Sequence, residues 1–532
     1  MRDAPPSRWH AEGCTEALEA AEALARGLER PGAVAPTGWT VVKDRPMRVV
    51  LRSTRPGPEG PQEVVAKVRR AARAADRARN RLRGPRGPLE GSLLRDLAEA
   101  GVAVPQVLGW SADPAAGVDV LLLRRVPNAR DLDEVAREPA THARARALVE
   151  DVARLLRRAH DAGWYDADLH RGNLLVGPAG VTLLDPGTSP LRGSLPAPRR
   201  VHALGLAAHG LNATPRQGLA ALRAYHDGDR DTARRWLPLV ASAARSAARA
   251  YRRRRSRRAR RTGRHFEVSR LEGGVRVVRN ADRAPAAWAR VAPDWLARDP
   301  EGARALKAGG RVLAARLAGL DETVVVKRFD ATWRDRLRTP RAIRGFRRAY
   351  GLRVRGVAAP EPLLAASDAS GRGILVTAFA GRSPEAIDLA RLAERIRAGR
   401  APMDLDDRAV RDRALHRLGR FLRHLHDAEV AHRDLKAPNL VAWSGPRGIA
   451  FGVVDLEGAR TLDRPVPWRR RARDLARLDA SLSPTDASRT DRLRVLRGYW
   501  AGFARPPVAL AAFARRVAAA SARKRGPTGA PR

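Results

Sequence analysis

Four short stretches of this 532-residue chain occur twice, in the same order and at nearly equal separations. EVVAKVRR around Lys67 returns as TVVVKRFD around Lys327, and AGVAVPQVLGWS (100–111) as RGVAAPEPLLAAS (355–367). LLRRAHDAGWYDADLHRGNLL (155–175) returns as FLRHLHDAEVAHRDLKAPNLV (421–441), and VTLLDPG at Asp185 as VVDLEG at Asp455. The offsets are 260, 255, 266 and 270 residues. A chain built this way folds as two copies of one unit, which agrees with a length too great for one ordinary core.

Within each copy an apolar strand ends in Lys, a helical stretch follows, and a Gly-Val-x-x-Pro turn leads into a second apolar run. Next comes an amphipathic helix with Val152, Leu155 and Leu156, or Leu418, Leu422 and Leu425, at helical spacing. A polar loop and two short strands follow, NLLV–GPAG–VTLLD in the first copy, and the remainder reads as helices. This order predicts an α+β chain of two tandem bilobal domains, each a small β-rich lobe followed by a larger helical one. The expected division is 1–262, 263–520 and a disordered basic tail, 521–532; residues 1–35 read as helical. The join is AYRRRRSRRARRTGRHF, a run too basic to bury. It is either a solvated helix face or a contact surface for anions.

The chemistry-bearing residues cluster at the repeated landmarks. Lys67 and Lys327 each end a valine-rich strand that would aim an ammonium into the cleft between lobes. Asp168 with Asn173, and Asp434 with Asn439, share one five-residue interval. Asp185 and Asp455 end the second of the two short strands, where a hairpin would return another carboxylate to the same place. A cation, two carboxylates and an amide oxygen are what phosphoryl transfer needs: phosphate binding, Mg²⁺ binding and orientation of an acceptor hydroxyl. Only six of the 102 basic residues are lysine, yet Lys67, Lys327 and Lys436 stand at these positions, so a compact ammonium is required there. The copies are unequal. Glu90 lies eleven residues before Gly101, placed to pair with Lys67, whereas the matching position before Gly356 is Gly345. His-Arg-Asp at 432–434 is Asp-Ala-Asp at 166–168.

With VVVKRFD, RGVAAPEPLLA, HRDLKAPNLV, VVDLEGAR and RARDLARL on the page, the chain resembles the protein-kinase-like superfamily twice over. Within it, the chain is most similar to bacterial lipopolysaccharide core kinases, which act on heptose or Kdo sugars. That family similarly lacks a strict glycine-rich loop and carries D-L-x-x in place of D-F-G. The resemblance implies ATP and Mg²⁺ as cofactors. It implies that Lys327 contacts ATP phosphates, that Asp434 is the catalytic base, and that Asn439 and Asp455 hold the metal. Lys67, Glu90, Asp168, Asn173 and Asp185 would do the same in the first copy, and Lys436 would add to the second. Asp474 is the matching helix carboxylate that props the catalytic loop. DLHRGNLLV and LLDPG also look like aminoglycoside- and choline-type small-molecule kinases.

Partners follow from charge and from absences. A net charge of +45 favours anions, and the arginine-dense segment 464–473 is expected to face a phosphorylated or acidic sugar or glycolipid. No A-P-E follows Asp455, which disfavours a protein substrate. With aromatics at 5% and no groove-reading motif, nucleic acid is a weak candidate. A single cysteine, Cys14, no apolar run of spanning length and no apolar secretory segment point to the cytoplasm, with peripheral contact at an anionic inner membrane. The leading expectation is an ATP-dependent sugar kinase whose second domain is catalytic. Two alternatives stay open: a small-molecule or protein Ser/Thr kinase with a regulatory pseudokinase half, and a non-catalytic basic protein that binds glycolipid or nucleic acid.

Overall fold

The strand that ends in each lysine is an interior strand of an antiparallel sheet in the computed structural model of the protein. Gln62–Arg70, with Lys67, lies between Arg48–Arg55 and Val118–Arg124 in a six-stranded sheet. Thr323–Phe329, with Lys327, lies between Val312–Arg316 and Gly373–Ala378 in a seven-stranded one. The structure describes residues 34–525 apart from 46, 57–59, 72–73, 114–116, 139–140, 194, 307–308, 333–334, 336–337, 384, 447 and 502–507. Before residue 34 it describes only His10, Ala11, Glu19, Ala23, Leu24 and Leu28, so Cys14 and most of the helical reading for 1–35 lie outside the described residues.

The chain forms two compact units, Met1–Ala248 and Arg249–Arg532. The division falls inside the helix Arg230–Ser256, earlier than the expected 262/263. The reason lies in the basic run itself. Arg249 Nε reaches Glu429 Oε1 at 2.6 Å, and Ala259 is buried with Phe266 and Phe346 in the second unit's core. Residues 521–525, expected in a disordered tail, are helical. The helix Leu510–Arg525 buries Phe513, Val517 and Ser521, and Arg525 bonds Asp479 Oδ2 at 3.0 Å. Residues 526–532 lie outside the described residues.

Each unit has the bilobal layout, small sheet first and helical lobe after. In the first, helix Arg86–Glu99 covers one face of the sheet through Leu94, against Val107, Leu121 and Leu123. Leu24, Leu28 and Trp39 cover the other. In the second, helix Arg341–Val354 packs Ile343 and Phe346 on one face, and helix Ala287–Ala297 packs Trp288 and Ala292 on the other. Strands Pro362–Ser367 and Gly373–Ala378 are therefore buried on both faces, which explains their unbroken apolar sequence. The amphipathic helices of the large lobes, His142–Asp161 and Arg408–Asp427, bury the six apolar residues read from their spacing.

A polar network inside each large lobe repeats almost atom for atom. His160 Nδ1 meets the Tyr225 hydroxyl at 2.8 Å, and His426 Nδ1 meets that of Tyr499 at 2.8 Å. Arg200 Nε donates to the Leu195 carbonyl at 2.9 Å and Arg471 Nε to the Val466 carbonyl at 2.9 Å. The same arginines reach Asp161 and Asp427, which close the long helices. Both histidines are fully buried. Burial, helped by the nearby Arg200 and opposed by Asp161, pulls the His160 pKa down to about 4. Burial lowers that of His426 as well.

A group depressed in the folded state contributes stability that is complete above its unfolded pKa and is lost as pH falls toward the folded one. Urea unfolding of the first unit's signal should therefore weaken between pH 6.5 and about 4, by about 3 kcal/mol for His160 alone. Titration of unfolding midpoints for wild type and His160→Asn checks this: the variant should be less stable at pH 7 and show a flatter decline. Equal slopes would mean that His160 is not the group responsible.

Candidate active site

In the second unit, three elements bring the predicted residues together. Strand Thr323–Phe329 supplies Lys327, the segment after strand Val430–His432 supplies Asp434, and hairpin Leu440–Gly445/Gly448–Val453 delivers Asp455. Lys327 Nζ lies 2.8 Å from Asp455 Oδ1. Asn439 donates from Nδ2 to the Asp434 backbone carbonyl at 2.8 Å and to its Oδ2 at 3.0 Å, and Lys436 Nζ stands 3.1 Å from the same carboxylate oxygen. The Asp434 side chain is half exposed, at 50%, so an acceptor can reach it.

The catalytic loop is pinned from below. Asp474, 1% exposed on helix Trp468–Ala480, accepts from the His432 backbone N–H at 3.0 Å and from Arg477 at 2.9 Å. Asp455 takes a left-handed backbone, φ +52°, a conformation that costs a non-glycine residue free energy and is kept where its surroundings enforce it. Here the Val454 N–H is fixed to the Asn439 carbonyl at 2.8 Å.

Lys327 also has a partner that the sequence did not offer. Gly345 occupies the helix position of the missing glutamate, and a Cβ there would stand 2.9 Å from a Leu375 methyl. The carboxylate comes instead from Glu457, two residues past Asp455. Its Oε1 accepts from Lys327 at 2.7 Å and its Oε2 from Arg341 at 2.8 Å, while Arg348 holds its backbone carbonyl at 2.8 Å. Burial disfavours the Lys327 ammonium, but Asp455 and Glu457 outweigh that and raise its pKa. Burial likewise works against the Glu457 carboxylate, and Lys327 and Arg341 overcome it and hold its pKa below the ordinary value. The missing helix Glu was the available signal: a second acidic residue beside the strand-end Asp was the place to look.

Above these groups is a cavity of about 1000 Å³. Val312, Ala314 and Val325 from the sheet and Val441 and Val454 from the large lobe line it with apolar surface, and Lys327, Asp455, Glu457, Arg304, Asp388 and Arg391 add charged groups of both signs. Apolar walls beside convergent charged groups suit a flat heteroaromatic ring bearing a charged tail. The hairpin between Arg304–Ala305 and Val312–Arg316 carries Gly309 and Gly310 at positive φ, so a glycine turn exists here without the usual motif.

The first unit assembles its counterparts differently. Lys67 is 3% exposed and is bonded to Glu90 Oε1 at 2.8 Å and to Asp185 Oδ1. Glu90 also pairs with Arg69, which reaches Asp119 at 3.1 Å. The other oxygen of Asp185 faces Arg48 at 3.4 Å, so this carboxylate is committed on both sides. Burial acts against its charge, but Lys67, Arg48 and Arg69 prevail and hold its pKa at about 2. Asn173 donates to the Asp185 carbonyl at 3.2 Å. Asp168 is exposed, and its N–H is capped by Asp166 Oδ1 at 2.8 Å. Arg200 aligns with Arg471 in the shared network, which places Ala203 opposite Asp474. At this position the first unit has no carboxylate.

Both copies thus bring a strand lysine against a hairpin-end aspartate. The family model described as the lipopolysaccharide kinase (Kdo/WaaP) family matches residues 66–188 and 324–499, once in each unit. The chain belongs to this family. It is a kinase of the lipopolysaccharide type in tandem form. Among solved structures, WaaP in complex with acyl carrier protein aligns at 24% identity and a TM-score of 0.31, covering 40% of this chain and 88% of that one. The M. tuberculosis PknI kinase domain aligns at 17% identity and a TM-score of 0.26, covering 40% and 99%. No curated protein matches the sequence. Among the described residues no helix is long and apolar enough to cross a membrane.

One expectation for this kinase needs correction. Arginines 464–473 do not form one surface facing an acceptor. Arg464, Arg469 and Arg473 are exposed, but Arg471 is buried in the His426–Tyr499 network. Arg471→Ser should therefore lower stability by about 2 kcal/mol, through lost charged hydrogen bonds, whereas Arg469→Ser should change it by less than about 0.5 kcal/mol. Urea unfolding of the two variants decides the matter; equal effects would place Arg471 on the surface.

Proposed function

We propose that the second unit transfers the γ-phosphoryl group of ATP to a sugar hydroxyl of a lipopolysaccharide-type glycan, with heptose or Kdo as the acceptor class. One observation carries the reading: Lys327 and Asp455, 2.8 Å apart, line a partly apolar cavity, and Asp434 and Asn439 are bonded to each other on a loop fixed by Asp474.

The roles follow from the groups. Asp434, half exposed and oriented by Asn439, accepts a hydrogen bond from the attacking hydroxyl and aims its oxygen; its carboxylate takes the proton as the bond to phosphorus forms. Lys327 holds non-bridging phosphate oxygens, and Lys436, next to Asp434, offsets charge on the group in transit. The Asp455 carboxylate and the Asn439 amide oxygen are hard donors that fit Mg²⁺, and among the described residues no cluster of three or more His, Cys, Asp or Glu competes with them. When bound, Mg²⁺ supplies neutralisation of phosphate charge. Glu457 anchors Lys327 independently of Asp455, so the lysine keeps its position while Asp455 serves the metal.

For the first unit the supported reading is a retained scaffold with a regulatory role. Asp185 is occupied by both Lys67 and Arg48, Ala203 stands at the prop position, and Asp166 stands where the second unit has His432. An acceptor linked to lipid would lie at an anionic membrane surface, toward which a chain of charge +45 is drawn from the cytoplasmic side.

Phosphate transfer from Mg·ATP to an extracted envelope-glycan mixture tests this with single variants. Asp434→Asn should lower kcat at least about 100-fold and leave nucleotide affinity nearly unchanged, and Asp168→Asn should retain wild-type turnover. Glu457→Gln should lower kcat about tenfold while folding is preserved. Loss of transfer in Asp168→Asn alone would move the chemistry to the first unit. A wild type that neither transfers phosphate nor is thermally stabilised by Mg·ATP would leave the glycolipid-binding alternative.

A further inference from the structure

The second unit contains a group of arginines that the catalytic site does not use. Ala259, Phe266, Val278, Ile343 and Phe346 form one buried cluster between the sheet and helix Arg341–Val354. Three arginines rim it. Arg260 follows Ala259, Arg347 follows Phe346, and Arg276 lies two residues before Val278 and so on the same face of its strand. Arg270 stands directly opposite Arg276 in the antiparallel pair Phe266–Arg270/Arg276–Asn280.

Charge is uncompensated here. The carboxylates nearby are engaged elsewhere: Glu267 with Arg279, Asp282 with His265, Asp335 with Thr332 and Arg344, and Asp368 with Arg372. Glu272, at the hairpin tip, makes no ion pair with any of the three. Arg347 is half-buried, and its Nε is fully enclosed without a hydrogen-bond partner. Burial first, then Arg260 and Arg276, push its pKa below the ordinary guanidinium value, with no acidic group opposing them. An enclosed guanidinium N–H without an acceptor, facing two more cations, is an arrangement that an anion would complete.

We propose that Arg260, Arg276 and Arg347 form a binding site for a phosphate group. Guanidinium forks match phosphate oxygens in pairs, and the exposed Arg260 and Arg276 with the half-buried Arg347 offer one tetrahedral dianion donors from three separate elements. The site is distinct from the nucleotide cleft. Gly345 and Ala349 line that cleft, and Arg347, two residues from each, projects from the other side of the helix. It gives the basic run at 250–266 a specific member, Arg260, next to the buried Ala259. Because helix Arg341–Val354 also carries Arg341 and Arg348, which hold Glu457, an occupied site would brace the helix that positions Lys327.

The test uses the whole chain, thermal unfolding and inorganic phosphate, with chloride keeping ionic strength constant. Phosphate should raise the wild-type Tm, and its apparent affinity should fall about tenfold in Arg260→Ser/Arg276→Ser and in Arg347→Met. The control pair Arg257→Ser/Arg258→Ser removes equal charge from the same exposed turn and should bind as wild type does. No phosphate-specific shift in the wild type, or equal losses in the control pair, would overturn the proposal. Flotation with phosphatidic acid vesicles separates the sources. Retention of wild type but not of Arg260→Ser/Arg276→Ser assigns the site to a lipid headgroup, and a phosphate shift without retention assigns it to a soluble phosphate.

Discussion

Each unit turns on one ion pair that spans its two lobes: Lys67 with Asp185, and Lys327 with Asp455. Each pair joins an interior strand of the small-lobe sheet to the end of a hairpin in the large lobe. Burying such a pair is costly unless further hydrogen bonds complete it, because each ion loses hydration that a single partner does not replace. Both lysines accordingly have a second carboxylate, and both carboxylates have neighbours that orient them. Without that second carboxylate, the lysine would be tied to a single residue of the large lobe.

The two units meet this requirement by different routes. In the first, Glu90 comes from the helix, and Gly87 and Gly91 allow that helix to sit close to Asp119 and Trp110; a Cβ at Gly91 would lie 2.3 Å from the indole. In the second, Gly345 brings the helix against Leu375, and Glu457 supplies the carboxylate from the opposite lobe, held by Arg341. The helix glutamate is replaced by Gly345 and the loop residue Glu457 takes up the acid, so the lysine keeps two carboxylate partners. Exposure differs as well. The Lys67 side chain is 4% exposed and the Lys327 side chain 26%, which leaves the second site open to a ligand where the first is closed by its own side chains.

The duplication, the bilobal order and the lysine, carboxylate and asparagine positions were all legible in the sequence, because strand ends and helix stripes have short-range patterns. What was not legible depended on contacts between distant segments. Glu457 looked like any polar residue after a strand. Arg471 read as one of a surface run, because nothing local distinguishes an arginine that turns inward to Asp427 and Tyr499 from one that faces water. The repeated His–Tyr–Arg–Asp network was missed for the same reason: its tyrosines, Tyr225 and Tyr499, lie 65 and 73 residues from their histidines. The basic run read only as exposed, because basic composition marks exposure, whereas Ala259 among the arginines marks packing.

A comparison of the two large lobes separates what the fold needs from what the chemistry needs. The His–Tyr–Arg–Asp network is kept in both, so it belongs to the architecture. The differences gather around the reacting groups. Asp474 props the loop in one unit, and Ala203 stands there in the other. Asp455 holds a left-handed backbone, whereas Asp185 precedes Pro186, whose ring favours an extended conformation in the residue before it, and keeps a negative φ. Strain, a buried carboxylate prop and an open lysine all cost stability and do nothing for packing. They occur together in the second unit, whereas in the first Lys67 is enclosed, Ala203 stands at the prop position and Asp185 keeps a negative φ.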